Sequence, residues 1–232
     1  MLSYEDKLTL DADLIFCVSL KLYEEKLKYR QKNVYYLPHG VDFHHFYRAT
    51  RALPLPDDIK PIKPPIVGYF GSLTNRNDQS IIEYCATKRP DFSFVLLGQV
   101  LGNYQFLQNL PNVHFLGYKD YAKLPNYGKA FDVCIMFWKT SEWIEYCNPV
   151  KTMEYLAMGK PVVSVPIAEI SRKFHGLISI ANSPEQFLRK IEEELRNNNL
   201  SKQKERTQSV TNETWNARAL QISEIITNYT IQ

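Results

Sequence analysis

The chain has 232 residues, 44% of them hydrophobic and 23% charged, an ordinary composition for a globular protein with a sizeable core. Its 28 basic residues are set against 25 acidic ones, so the net charge is only +3 and the bulk electrostatics speak against a nucleic-acid partner. Four widely spaced cysteines, Cys17, Cys85, Cys134 and Cys147, form no C-x-x-C pair, and no apolar run approaches the roughly 20 residues of a membrane span.

In chain order, short apolar runs rich in β-branched and aromatic residues predict strands at 13–19, 33–38, 65–71, 92–98, 113–117, 131–137, 161–165 and 177–181. Most are continuous rather than alternating, as in strands covered by helices on both faces. Helical patterns intervene at 20–31, 78–88, 103–109, 120–129, 149–158 and 184–198, followed by two closing helices near 201–210 and 213–229. Asp78 is placed to cap one of these helices, Ser183 before Pro184 to cap another, and Gly159 stops the helix that ends near Met158. The alternation predicts an α/β fold built on a Rossmann-like parallel sheet.

The stretch 48–65 holds five prolines and little helical pattern, which places the main boundary at about residue 50. Residues 1–47 read as one helix, two strands and a connector, too little to bury a core alone. The expected plan is therefore 1–47 as the remnant of a preceding domain, 48–64 as a proline-rich linker, 65–210 as the ligand-binding domain and 211–232 as a closing helix.

In an open parallel sheet, ligands bind at the carboxyl ends of the strands. Three expected strands end in glycine, at Gly71-Ser72, Gly98-Gln99 and Gly117-Tyr118-Lys119, where backbone can approach a ligand closely. The strand at 131–137 runs into the loop WKTSEWIEYCN, after which Asn148 is the expected N-cap and Pro149 lies near the first helical position. Free N–H groups and the helix dipole at such a start favour an anion such as a diphosphate. Lys151, in the first turn, opposes the dipole, a placement that a bound phosphate would explain. Glu154 follows at i+3 on the same face, where a carboxylate can accept hydrogen bonds from two vicinal ribose hydroxyls. An intrahelical Lys151–Glu154 surface pair is the plainer alternative, and spacing does not choose between them.

The segment NPVKTMEYLAMGKPVVSV resembles the donor site of group 1 retaining glycosyltransferases of the GT-B fold, particularly the teichuronic acid biosynthesis branch. Similarity continues through DADLIFCVS and NVYYLPHGVDFHHF, which look like the interdomain crossing, then IVGYFGS, PNVHFLGYKDYAKLPNYGKAFDVCIMF and the closing TWNAR. The resemblance implies hexosyl transfer from an NDP-sugar to a saccharide or lipid-linked acceptor, with retention of configuration. It also implies that 65–210 is a nucleotide-sugar-binding domain in the C-terminal half of a GT-B enzyme whose N-terminal domain is largely missing here. Glu154 would hold the ribose, Asn148, Pro149, Val150 and Lys151 the diphosphate, with Gly71 beneath the phosphates and Tyr118 and Lys119 near the base.

Two positions depart from the family pattern. Many members carry an earlier glutamate at a fixed distance before the second, and here Tyr146 stands there with Glu145 beside it. Members also use an Arg and a Lys near the first loop, for which this chain offers Arg76. No catalytic residue is assigned, no cofactor or metal is expected, and His39, His44, His45 and His114 are read as structural.

Because half the cleft would be supplied elsewhere, two other readings stand beside the transferase: a non-catalytic sugar-nucleotide-binding module or subunit of a split transferase, and a GT-B sugar-nucleotide epimerase. A separate N-terminal-domain subunit or a homodimer is the expected partner. The expected setting is cytoplasmic, with room for peripheral association at the inner face of the plasma membrane.

Overall fold

The structure, a computed structural model, describes residues 3–231. All eight expected strands form. β1 (Ile15–Cys17) and β2 (Val34–Tyr36) make a small parallel sheet, with Ile15 opposite Val34. The remaining six, β3 (Ile66–Phe70), β4 (Ser93–Leu97), β5 (Val113–Gly117), β6 (Val133–Met136), β7 (Val162–Ser164) and β8 (Ser179–Ile180), form one parallel sheet in the order β5-β4-β3-β6-β7-β8. Every residue of β3, β4, β6 and β7 is buried, whereas the edge strands β5 and β8 are mostly half-buried. That is why the central strands read as almost unbroken apolar runs: both faces lie under helices, and the polar Ser93 and Ser164 fall at strand ends, where their hydroxyls donate to the Lys63 and Val165 carbonyls. Each fully buried Phe or Leu there, such as Phe94 or Leu96, contributes roughly 1.5–3 kcal/mol of transfer free energy.

From β3 the chain steps outward to β5, then returns to place β6 on the other side of β3. Strand order therefore reverses between β3 and β6, and the connections leaving their carboxyl ends part to open a crevice. β3 pairs with β6 only at Val67–Val133 and Gly68–Cys134. Beyond that pairing, the Phe70 N–H donates to the Tyr155 hydroxyl at 3.1 Å, which ties the end of β3 to the helix Val150–Ala157.

Expected helices appear at Leu20–Tyr29, Gln79–Lys88, Gln105–Gln108, Val150–Ala157, Pro184–Asn197, Leu200–Ser209 and Trp215–Thr230. Asp78 and Ser183 cap as expected, accepting from the N–H groups of Ser80 and Gln186. The pattern at 120–129 divides into a 3-10 turn, Tyr121–Lys123, and a helix, Leu124–Ala130, with Pro125 in the first α-helical turn. Four helices were not anticipated: Tyr4–Asp11, Phe43–Tyr47, Glu142–Glu145 and Ala168–Lys173. The first of these starts with a capping box, in which Ser3 Oγ accepts from the Asp6 N–H and the Asp6 carboxylate accepts from the Ser3 N–H. Residues 1–47 thus hold more than the single helix expected of them.

Joining of the two sheets also begins earlier than the proline-rich stretch. Phe46, fully buried, stacks on Phe70 at 5.9 Å, so the helix Phe43–Tyr47 already belongs to the core of the larger sheet. The segment 48–64 is irregular but not loose, since Ile59 within it is 1% exposed. At the other end, the Val41 N–H donates to the Glu213 carbonyl at 2.7 Å and the Tyr229 hydroxyl to Asp13 at 3.0 Å, so the final helix returns to the small sheet. Among the described residues no helix is long and apolar enough to cross a membrane.

Candidate donor site

A cavity of about 530 Å³ opens in the crevice between β3 and β6. Its walls come from the end of each neighbouring strand: Phe70, Gly71 and Ser72 after β3, Gly98 and Gln99 after β4, Tyr118 and Lys119 after β5, and Trp138 after β6. The helix Val150–Ala157 closes it with Val150, Lys151 and Glu154, preceded by Pro149. Glu154 lies three residues beyond Lys151 and four beyond Val150, so it shares a helix face with each, which is how a short sequence motif becomes one wall.

Two glycines are required by this packing. Gly71 has φ +140° and a Cβ there would lie 2.1 Å from Lys151 Cε, so the missing side chain is the space through which Lys151 reaches the cavity. Gly98 has φ +142° and a Cβ would lie 2.1 Å from the Gly71 carbonyl oxygen. The ends of β3 and β4 can therefore touch only without side chains.

Among the described residues Lys151 makes no ion pair. Its Nζ lies 5.8 Å from the Tyr69 ring centroid and 5.7 Å from that of Trp138, held over two aromatic faces. The Val150 and Lys151 N–H groups fall in the first turn, where no intrahelical acceptor exists. An unneutralised ammonium and free N–H groups at one helix start are the chemistry that suits an anion.

Glu154 is the opposite case, a carboxylate only 8% exposed whose acidity burial weakens, raising its pKa to about 7 against the opposing pull of Lys151. The expected alternative, a Lys151–Glu154 surface pair, does not form. Glu154 also acts on Tyr121 in the same wall, whose hydroxyl burial and the nearby carboxylate push up. The Tyr121 ring is held by His45, stacked at 4.7 Å with an 11° interplanar angle.

Of the other expected residues, Lys119 lines the cavity but is neutralised, donating to Asp58 at 2.7 Å while the Tyr127 hydroxyl donates to the same carboxylate at 2.8 Å. Tyr118 is 71% exposed at the rim. Asn148 and Arg76 are not brought to the wall. Asn148 does not cap the helix: Pro149 occupies the N-cap position without a side-chain hydrogen bond, and Asn148 Nδ2 instead donates to the Val18 carbonyl at 2.8 Å, joining the motif to the end of β1. Arg76 stacks its guanidinium 4.3 Å from the Trp143 ring centroid. Glu145 lies outside the cavity, 3.8 Å from Lys21, and the Tyr146 hydroxyl donates to Glu25 at 2.7 Å. Sequence reasoning missed Tyr121 and Trp138; the available signal for Trp138 was an indole directly after a fully buried strand.

The model of the family described as glycosyl transferases group 1 matches residues 64–197, more than half of the chain and the whole six-stranded sheet. The chain belongs to the group 1 glycosyltransferases. Within that family it is 30% identical over 168 residues to a Bacillus subtilis (strain 168) protein, TuaH, that bears the name of a teichuronic acid biosynthesis glycosyltransferase; the match covers 69% of this chain and 42% of that protein. This group 1 chain therefore spans less than half the length of that relative.

Its fold matches solved GT-B structures throughout. Anabaena Alr3699/HepE in complex with UDP and glucose superposes with a TM-score of 0.73 at 17% identity, over 95% of this chain and 64% of that one. Sucrose-phosphate synthase from Thermosynechococcus elongatus gives 0.72 at 20% identity, over 98% and 61%. The pneumococcal O-GlcNAc transferase GtfA in complex with UDP and GlcNAc gives 0.71 at 14%, over 99% and 48%.

Proposed function

We propose that the cavity at the β3–β6 crevice binds the nucleoside diphosphate of a sugar-nucleotide donor, and that the chain is the donor-binding part of a retaining hexosyltransferase. One observation carries the reading: an ammonium without an ion-pair partner among the described residues, Lys151, and a buried carboxylate, Glu154, stand three residues apart on one helix face in the same cavity wall. In this reading the diphosphate lies on Lys151 and the first-turn N–H groups over Gly71, and Glu154 accepts from the ribose hydroxyls one turn deeper. The solved relatives carrying UDP make a uracil base the first candidate.

Transfer would leave negative charge on the departing diphosphate, where a fixed cation and helix N-terminus stabilise it without reorganisation. The acceptor, a saccharide or lipid-linked saccharide, must be held against the donor for that step. UDP, GDP and ADP are to be compared by thermal shift and calorimetry. At least one should raise Tm and bind with a single site; if none does, the donor reading fails.

A further inference from the structure

His45 lies outside the matched region 64–197 and outside the cavity wall, yet it holds one wall residue twice. Its ring stacks in parallel on Tyr121, and its Nε2 stands 3.0 Å from the Tyr121 carbonyl oxygen. A carbonyl only accepts, so the proton of this contact sits on Nε2. The next residue, Phe46, meets the Tyr121 ring edge to face at 5.5 Å and stacks on Phe70, itself a wall residue. The helix Phe43–Tyr47 therefore reaches the donor cavity through Tyr121.

We propose that His45 is a positioning residue acting through Tyr121, and that the Tyr121 hydroxyl and the Glu154 carboxylate together grip a ribose hydroxyl, so that the site selects ribonucleoside over 2′-deoxyribonucleoside diphosphates. This rests on the donor reading above and narrows the substrate class of the same cavity.

A ribose hydroxyl both donates and accepts, whereas an ionised carboxylate only accepts. Glu154 alone would leave the hydroxyl's lone pairs unserved, and the complementary group must be a donor in the same wall. Tyr121 is placed to be that donor: it lines the cavity, and burial with the Glu154 and Asp42 carboxylates pushes its hydroxyl pKa up, which keeps the proton on it. The two groups are near enough for the carboxylate charge to act on the phenol, yet they do not bond to each other, and neither has a hydrogen-bond partner among the described residues. A hydroxyl between them would donate to one and accept from the other. A 2′-deoxy sugar would leave both without a partner, which costs more than one lost hydrogen bond.

Tyr121 needs the support that His45 gives. It opens a 3-10 turn of three residues with no side-chain cap, and it is 47% exposed, so burial alone does not fix its ring. A stacked partner and a bond to its own carbonyl fix ring and backbone together, which lowers the cost of ordering the hydroxyl when ligand arrives.

The test is calorimetry at pH 8 with UDP and 2′-deoxy-UDP, or the corresponding pair for whichever of GDP and ADP binds. The native chain should prefer the ribonucleotide by at least about tenfold. Tyr121→Phe keeps the ring and loses the hydroxyl, and should shrink that preference by about three- to tenfold. His45→Ala should shrink it similarly, and the double variant should shrink it no further than Tyr121→Phe, because both changes remove one interaction. His45→Leu, closer in volume, takes the place of His45→Ala should the latter fail to fold. A merely structural role would weaken both nucleotides by the same factor and leave their ratio unchanged. The proposal is overturned if the native chain binds the two nucleotides equally, if Tyr121→Phe leaves the ratio intact, or if the His45 variants do. Failure of UDP, GDP and ADP all to bind would instead sink the donor reading, so the two failures are separable.

Discussion

Glu154 offers the sharpest test, because burial places its titration near neutrality. Its pKa is raised from 4.5 to about 7, so between those values the folded chain holds a proton that the unfolded chain has lost. Stability therefore falls as pH rises through that window and levels off above about 7, by a total of about 3 kcal/mol. Glu154→Gln cannot ionise, so it should lack this slope. The Tm advantage of the variant over the native chain should be small at pH 4.5 and largest above pH 7.

The same titration governs binding if ribose hydroxyls donate to the ionised carboxylate. At pH 6 only about one molecule in ten is ionised, which makes nucleotide affinity about tenfold weaker than at pH 8. Calorimetry with UDP across pH 6–8, on native chain and Glu154→Gln, isolates this effect, since the ligand's own titration is common to both. Equal pH dependence in the two proteins, or unchanged affinity in the variant at pH 8, would refute both the ribose role and the reasoning from burial.

Four further outcomes follow from named contacts. Lys151→Ala should weaken nucleoside diphosphate binding by about 1.5–3 kcal/mol, ten- to a hundredfold, with little effect on Tm, since the ammonium has no ion-pair partner to orphan; calorimetry and thermal melts read the two separately. Gly98→Ala forces a Cβ against the Gly71 carbonyl oxygen at positive φ and should cost at least about 2 kcal/mol in denaturant melts. Gly117→Ala, at φ +70° with nothing within 4 Å, should cost only about 1–2 kcal/mol. Tyr155→Phe removes the acceptor for the buried Phe70 N–H and should destabilise by about 1–3 kcal/mol, with faster exchange of that amide by NMR.

What could be read from the sequence was what depends on neighbours in the chain. The strands β3, β4, β6 and β7 announced themselves because complete burial confines polar residues to strand ends, Ser93 and Ser164, and leaves the interior of each run apolar. The strand-end glycines were visible, though the reason for Gly98, contact with Gly71, was not. Features set by distant residues were misread or missed. Asn148 is drawn off its expected capping role by a carbonyl 130 positions away, and Arg76 is drawn from the cavity by Trp143. The helix Ala168–Lys173 is a single short turn and a half whose Glu169 earns its burial through Leu20 and Tyr36, contacts that no local pattern displays.

Spacing alone could not separate a surface ion pair from two ligand-facing groups at Lys151 and Glu154, because both need i and i+3 on one face. Burial separates them. A surface pair would leave both side chains in water, worth only a few tenths of a kcal/mol. Here Glu154 is buried without a cation bound to it, at a cost the fold would shed by placing leucine there, while Lys151 is drawn away over Tyr69 and Trp138 through the gap left by Gly71. An ionisable carboxyl kept in a buried wall, and a cation held away from it over two aromatic rings, are arrangements that cost stability. They make physical sense when a third party, carrying hydroxyls for one and negative charge for the other, completes the site.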